Sequence, residues 1–150
     1  MLKSQFEQRK IGKTAASFRQ QTALTTPSGP QWTESALEAS AVIQIAFVPT
    51  VVDIITQPIL RYTLAGKDRQ YTPDIAATFA EEGDPIPQRF IIEVKRREEL
   101  ENKRREFADK FYAAREECAK IGFEFRVLHE GHLETAYYRN ALNLLPVLSR

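Results

Sequence analysis

Cysteine occurs once in this chain of 150 residues, at Cys118, and histidine twice, at His129 and His132. That scarcity excludes a zinc finger, whose four ligands come as close Cys or His pairs, and it leaves no disulfide to staple the fold. His129 and His132 read as polar residues around a turn, and Cys118 as a core residue of a helix rather than a nucleophile. Charge of one sign is missing too. Lys+Arg 21 against Asp+Glu 20 gives a formal net charge of +1, so bulk charge cannot hold nucleic acid and any such function must come from a local site. The start, Met1 to Phe6, lacks the apolar run of a signal peptide. The longest apolar stretch, Ala39 to Pro49, is interrupted by Ser40 and Gln44 and is too short to span a bilayer. A cytoplasmic protein without a membrane segment is expected.

What is present is the composition of one globular domain, 43% hydrophobic and 27% charged, large enough to bury a core without a structural metal. Residues 1–31 carry Lys3, Arg9, Lys10, Lys13 and Arg19 against Glu7 alone and then pass through Thr25-Thr26-Pro27-Ser28-Gly29-Pro30. They read as a flexible basic arm ahead of a domain over 32–150. From Thr33 to about Phe47 the sequence predicts a buried helix with Thr33 as N-cap. Strands are expected over Val51–Ile55, Ile59–Leu64, Gln70–Phe79 and Arg89–Lys95, the first three as an antiparallel meander. One long helix follows from about Glu98 to Ile121, carrying Leu100, Phe107, Phe111, Ala114, Cys118 and Ile121 on a single stripe. Gly122 is placed to end it, Phe123–Leu128 reads as a last strand, and a short helix is expected over Glu134–Leu144. The order predicts an α/β fold with a mixed β-sheet flanked by helices.

Alternation along the strand Phe90–Lys95 sends Ile91, Glu93 and Lys95 to one face and Phe90, Ile92 and Val94 to the other. A carboxylate and an ammonium sharing a face are either a structural pair on a solvated surface or a working pair. Asp74 follows Pro73, which cannot donate to a sheet ladder, and falls on the side away from Ile75 and Ala77. Glu38 shares its helix face with Ala41, Val42 and Ile45 and leans inward, whereas Glu34, nearer the helix start, is explained by the helix dipole. Together Glu38, Asp74, Glu93 and Lys95 make the set that phosphodiester hydrolysis requires. The carboxylates suit Mg²⁺, with Mn²⁺ as a substitute, and Lys95 would orient or deprotonate water or neutralise developing charge.

The string Pro73-Asp74, an interval, then Glu93-Val94-Lys95 resembles the PD-(D/E)xK motif of restriction-endonuclease-like nucleases. In its wider context, with Glu34-Ser35-Ala36-Leu37-Glu38 and Val51 to Pro58 preceding, it is similar to the N-terminal catalytic domain of TnsA, the endonuclease subunit of heteromeric transposases, over residues 32–128. The resemblance implies cleavage of DNA at the 5′ ends of a transposon, with a separate transposase subunit cutting the 3′ ends and an ATPase regulator. It implies Glu38, Asp74 and Glu93 as metal-binding acids and Lys95 as catalytic lysine, with Gln57 positioning water or DNA. Lys10, Lys13, Arg19, Arg96 and Arg97 are the candidate DNA contacts, and a homodimer is an open arrangement. Only residues 129–150 follow the last predicted strand, where family members often carry a further, regulator-binding domain. A self-sufficient nuclease of phage or DNA repair is therefore the alternative, and a non-catalytic DNA- or protein-binding module the third reading.

Overall fold

The computed structural model describes residues 1–10 and 20–133, with the backbone alone for residues 20–23. The elements are α1 (Leu2–Gln5), β1 (Gln20–Thr26), β2 (Gly29–Thr33), α2 (Ala36–Ala46), β3 (Val51–Thr56), β4 (Leu60–Leu64), β5 (Lys67–Tyr71), β6 (Ile75–Phe79), β7 (Gln88–Val94), α3 (Arg97–Asn102), α4 (Arg104–Lys120), β8 (Glu124–Leu128) and α5 (Glu130–Leu133). The expected helix over Glu134–Leu144 lies outside the described residues. No helix among those described is long and apolar enough to cross a membrane.

The central sheet has the order β3-β6-β7-β8. Its first two pairings are antiparallel and β7–β8 is parallel, reached through α3 and α4. It is thus a mixed sheet of an α/β fold, as expected. The period-2 alternation of β7 divides the core in two. Ile91 packs with Ile55, Ala76 and Phe125 beneath Phe107, Phe111 and Cys118 of α4. Ile92 and Val94 pack with Ile54, Ile75 and Ala77 against Ala41, Val42 and Ile45 of α2. Both sheet faces are therefore covered. The face carrying Glu93 is not a solvated one, and Glu93 is only 3% exposed.

Local chemistry moves several element boundaries away from the sequence expectation. Ser35, not Thr33, caps α2, its hydroxyl accepting from the Glu38 N–H at 3.1 Å, while Thr33 pairs with Gln20 in the β1–β2 hairpin. The strand expected over Gln70–Phe79 is two strands, because Pro73 interrupts the ladder. The first of them, β5, pairs only with β4 in a separate hairpin. The single long helix is broken at Lys103, whose φ of −114° and ψ of 32° leave the helical region between α3 and α4. Gly122 does end α4. At φ +80° it lets the Phe123 N–H reach the Cys118 carbonyl at 2.9 Å and its own N–H the Ala119 carbonyl at 3.1 Å, a Schellman closure.

The N-terminal residues depart most from expectation. Instead of a free basic arm, residues 1–10 begin with α1, whose Leu2 is 1% exposed, and Phe6 stacks edge-on against Phe123 with centroids 5.3 Å apart. Apolar side chains at these two positions outweigh the scattered charge of the segment, since their burial removes a large area from water. The buried Asp53 fastens it: its carboxylate accepts from the Leu2 N–H at 2.8 Å, the Ser28 hydroxyl at 2.5 Å, the Ser28 N–H at 3.1 Å and the Ile54 N–H at 3.0 Å. A buried carboxylate is tolerated only with donors of this kind. Further along, Gln8 bridges to Pro58, which brings Arg9 alongside the end of β3.

Candidate active site

The ends of three neighbouring strands meet in one row. In the antiparallel registers Thr56 faces Ile75, and Ile75 faces Ile92. The next position along therefore sets Gln57, Asp74 and Glu93 side by side, and the Gln57 N–H donates to the Asp74 carbonyl at 2.8 Å. Gln57 holds φ at +54°, a costly left-handed conformation for a residue with a long side chain. Pro58 follows it, and the residue before a proline is pushed out of the right-handed helical region.

Each of the three expected acids has one carboxylate oxygen pinned by a protein donor. Glu38 Oε2 accepts from the Glu34 N–H at 3.1 Å and from Gln57 Nε2 at 3.3 Å. Asp74 Oδ2 accepts from the Val94 N–H at 2.7 Å. Glu93 Oε2 accepts from the Tyr71 hydroxyl, while Glu93 Oε1 lies 3.5 Å from Lys95 Nζ. Lys95 also stands 5.7 Å from the centre of the Phe107 ring, its backbone N–H held by the Leu128 carbonyl at 2.9 Å. The structure thus brings together Glu38, Asp74, Glu93, Lys95 and Gln57.

Burial and the crowding of like charges show in the titration of Asp74 and Glu38. Burial, then the charges of Glu93 and Glu38, push the Asp74 carboxyl up to about 8, against the opposing Val94 N–H and Lys95. Glu38 is raised first by burial and then by Glu34, with Glu93 adding to it. Burial pulls the Lys95 ammonium down, but Glu93 and Asp74 outweigh it and hold the group above the usual lysine range. Lys95 is accordingly a cation in the resting protein. Burial and the Glu93 charge push the Tyr71 phenol up, which suits it to donate to Glu93.

As the side chains stand, no three His, Cys, Asp or Glu among the described residues converge closely enough to hold an ion. The donors are nonetheless hard oxygens, and Asp74 and Glu38, raised first by burial and then by neighbouring acids, are carboxylates that a cation would favour in their charged form. The chemistry of the set fits a divalent metal such as Mg²⁺.

Glu34 is structural, but not through the helix dipole: it precedes the N-cap and pairs with Arg9. Arg96 caps α3 and is exposed with Arg97, whose N–H donates to Glu130 at 2.9 Å. Lys10 is exposed, and Lys13 and Arg19 lie outside the described residues. Cys118 is fully buried and burial pushes its thiol up to about 11, as befits a core residue. His129 and His132 sit around the turn into α5, rings 3.9 Å apart. Two contributors escaped the sequence reading. They are Tyr71 and Arg9, the latter donating to Gln57 Oε1 at 2.6 Å and reading in the sequence as one more charge in an arm.

A family model described as TnsA-like endonuclease N terminal matches residues 48–130, over half the chain. The match contains Gln57, Asp74, Glu93 and Lys95, and Glu38 precedes it. Comparison with curated proteins finds no match.

Proposed function

The chain belongs to the TnsA-like endonuclease N-terminal family, and from that premise we propose that it is a metal-dependent DNA endonuclease cutting the 5′ ends of a transposon together with a separate transposase subunit and an ATPase regulator. The supporting observation is the row that sets Gln57, Asp74 and Glu93 side by side at one end of the sheet, with Lys95 Nζ 3.5 Å from Glu93 and Glu38 joined to the row through Gln57.

Glu38, Asp74 and Glu93 would hold Mg²⁺, or Mn²⁺ in its place, once their side chains draw together around its charge. Such an ion, when bound, polarises the phosphate and eases formation of hydroxide from water. The chain's own groups do the rest. Tyr71 fixes one oxygen of Glu93 and the Val94 N–H one oxygen of Asp74, which leaves the other oxygen of each carboxylate to turn toward an ion. Lys95, charged in the resting state, is suited to attract the scissile phosphate and to neutralise the charge that grows on its oxygens. Gln57 holds Glu38 from the side. The uncatalysed reaction is slow enough that these effects together must lower the barrier by well over ~10 kcal/mol.

Incubation of supercoiled plasmid with Mg²⁺ or Mn²⁺, with and without a transposase partner, tests the proposal. Nicking that needs metal and partner, and that falls at least ~100-fold in each of Asp74→Ala, Glu93→Ala and Lys95→Ala, is the expected result. Cutting by the chain alone would point to a self-sufficient nuclease, and DNA binding without any cutting to a binding module. Full activity in all three variants would refute the site.

A further inference from the structure

Beside the acid cluster, on the other side of Gln57, lies an open pocket of about 470 Å³, a volume in the range of ligand-sized sites. Gln57 is the partition between them. Its Nε2 donates to Glu38 on one side and its Oε1 accepts from Arg9 on the other, at 3.3 and 2.6 Å. The described lining residues include two cations, Arg9 and Lys10, and no acid. Arg9 is braced by Glu34 and Gln57 rather than free to swing, and its Nε is buried without a partner.

The lining also includes Trp32, 40% exposed. On β2 the neighbours Gln31 and Thr33 are buried while Trp32 alternates outward. Its backbone N–H donates to Thr56 Oγ1 at 3.3 Å, which ties it to the residue just before Gln57. A tryptophan that stays partly in water, beside two cations in one concavity, is the combination by which proteins take up single strands. A base stacks on the ring and the backbone phosphate meets the positive charge. The base faces of an intact duplex are covered by their neighbours, so the ring suits an unpaired nucleotide.

We propose that the pocket of Arg9, Lys10 and Trp32 binds an unpaired nucleotide of the DNA substrate next to the scissile phosphate, its base against Trp32 and its phosphate toward the two cations. The site therefore prefers DNA that is frayed, single-stranded or distorted at the cut. This inference rests on the endonuclease reading but is separable from it.

Trp32 is the only tryptophan in the chain, so its emission reports this pocket alone. The intact chain, with Ca²⁺ in place of Mg²⁺ to withhold cleavage, is titrated with a short oligothymidylate and with a blunt duplex of equal length. Saturable quenching by the single strand, with much less by the duplex, is expected. In anisotropy titrations with labelled DNA, Trp32→Ala weakens single-strand binding roughly tenfold, duplex binding is unchanged, and Trp32→Phe recovers most of the loss. Equal quenching by both DNAs, or binding of both without quenching, would overturn the subsite and leave the endonuclease reading standing. Failure of both DNAs to bind, with no plasmid cleavage, would sink both. If Trp32→Ala does not fold, the quenching of the unaltered chain decides the matter.

Discussion

Replacing Asp74 by asparagine should make the metal-free protein more stable while abolishing cleavage. The Asp74 carboxyl is pushed up to about 8 from an ordinary 3.8, first by burial and then by Glu93 and Glu38. Between those two values the folded chain binds a proton that the unfolded chain has released, so stability falls as pH rises through the window. At about 1.36 kcal/mol per unit, the gap of roughly four units sets an upper bound of about 6 kcal/mol above pH 8. The bound is not reached, because the surroundings relax and admit water around the buried charge; about 2–3 kcal/mol is expected. Asparagine retains a carbonyl oxygen for the Val94 N–H, so the change removes charge without orphaning that donor. For a chain of this length the gain corresponds to a rise in Tm of roughly 5–10 °C at pH 8.5, shrinking toward pH 4. Thermal melts in EDTA from pH 4 to 9 measure it. Mg²⁺ should then stabilise the unaltered protein more than the variant. Parallel stability–pH curves for the two proteins, or a variant that melts lower at pH 8.5, would refute the like-charge account.

Three further outcomes follow from single contacts. Tyr71→Phe deletes the donor to Glu93 Oε2; about 1.5–3 kcal/mol of a charge-assisted hydrogen bond is at stake, and single-turnover cleavage should drop more than DNA affinity does. Asp53→Ala leaves the Leu2 and Ser28 donors buried without an acceptor, so urea unfolding should show a loss of about 3 kcal/mol or more. Gly122→Ala meets no neighbouring atom but must adopt φ +80°, which should cost about 1 kcal/mol in denaturant titration and leave cleavage unchanged.

The placement of the candidate residues was largely legible in the sequence because Glu38 and Glu93 lie on regular elements and Asp74 directly precedes one. Strand alternation joined Glu93 to Lys95, Pro73 marked Asp74 as standing at a strand start, and helix spacing turned Glu38 inward. Tyr71 and Arg9 were not legible, since their partners stand 22 and 48 residues away and no local period encodes such a pairing. The break at Lys103 has no proline or glycine to announce it, and the long helix was inferred across a seven-residue gap between Leu100 and Phe107. In the N-terminal segment Leu2 and Phe6 sit one helical turn apart, but α1 is only four residues long, too short for a periodic pattern to outweigh the basic residues around it.

The place of β7 has a consequence for how the enzyme comes into being. This strand carries Glu93 and leads into Lys95, yet one whole side of its hydrogen-bonding belongs to β8, made after the long crossover. Pairing across so large a sequence separation forms slowly. During synthesis, a nascent chain that ends before Leu128 would expose its acids and lysine without the strand that aligns them. On the endonuclease reading, cutting competence should then arrive with β8, so that fragments left by interrupted translation or by proteolysis within α4 would be harmless to DNA.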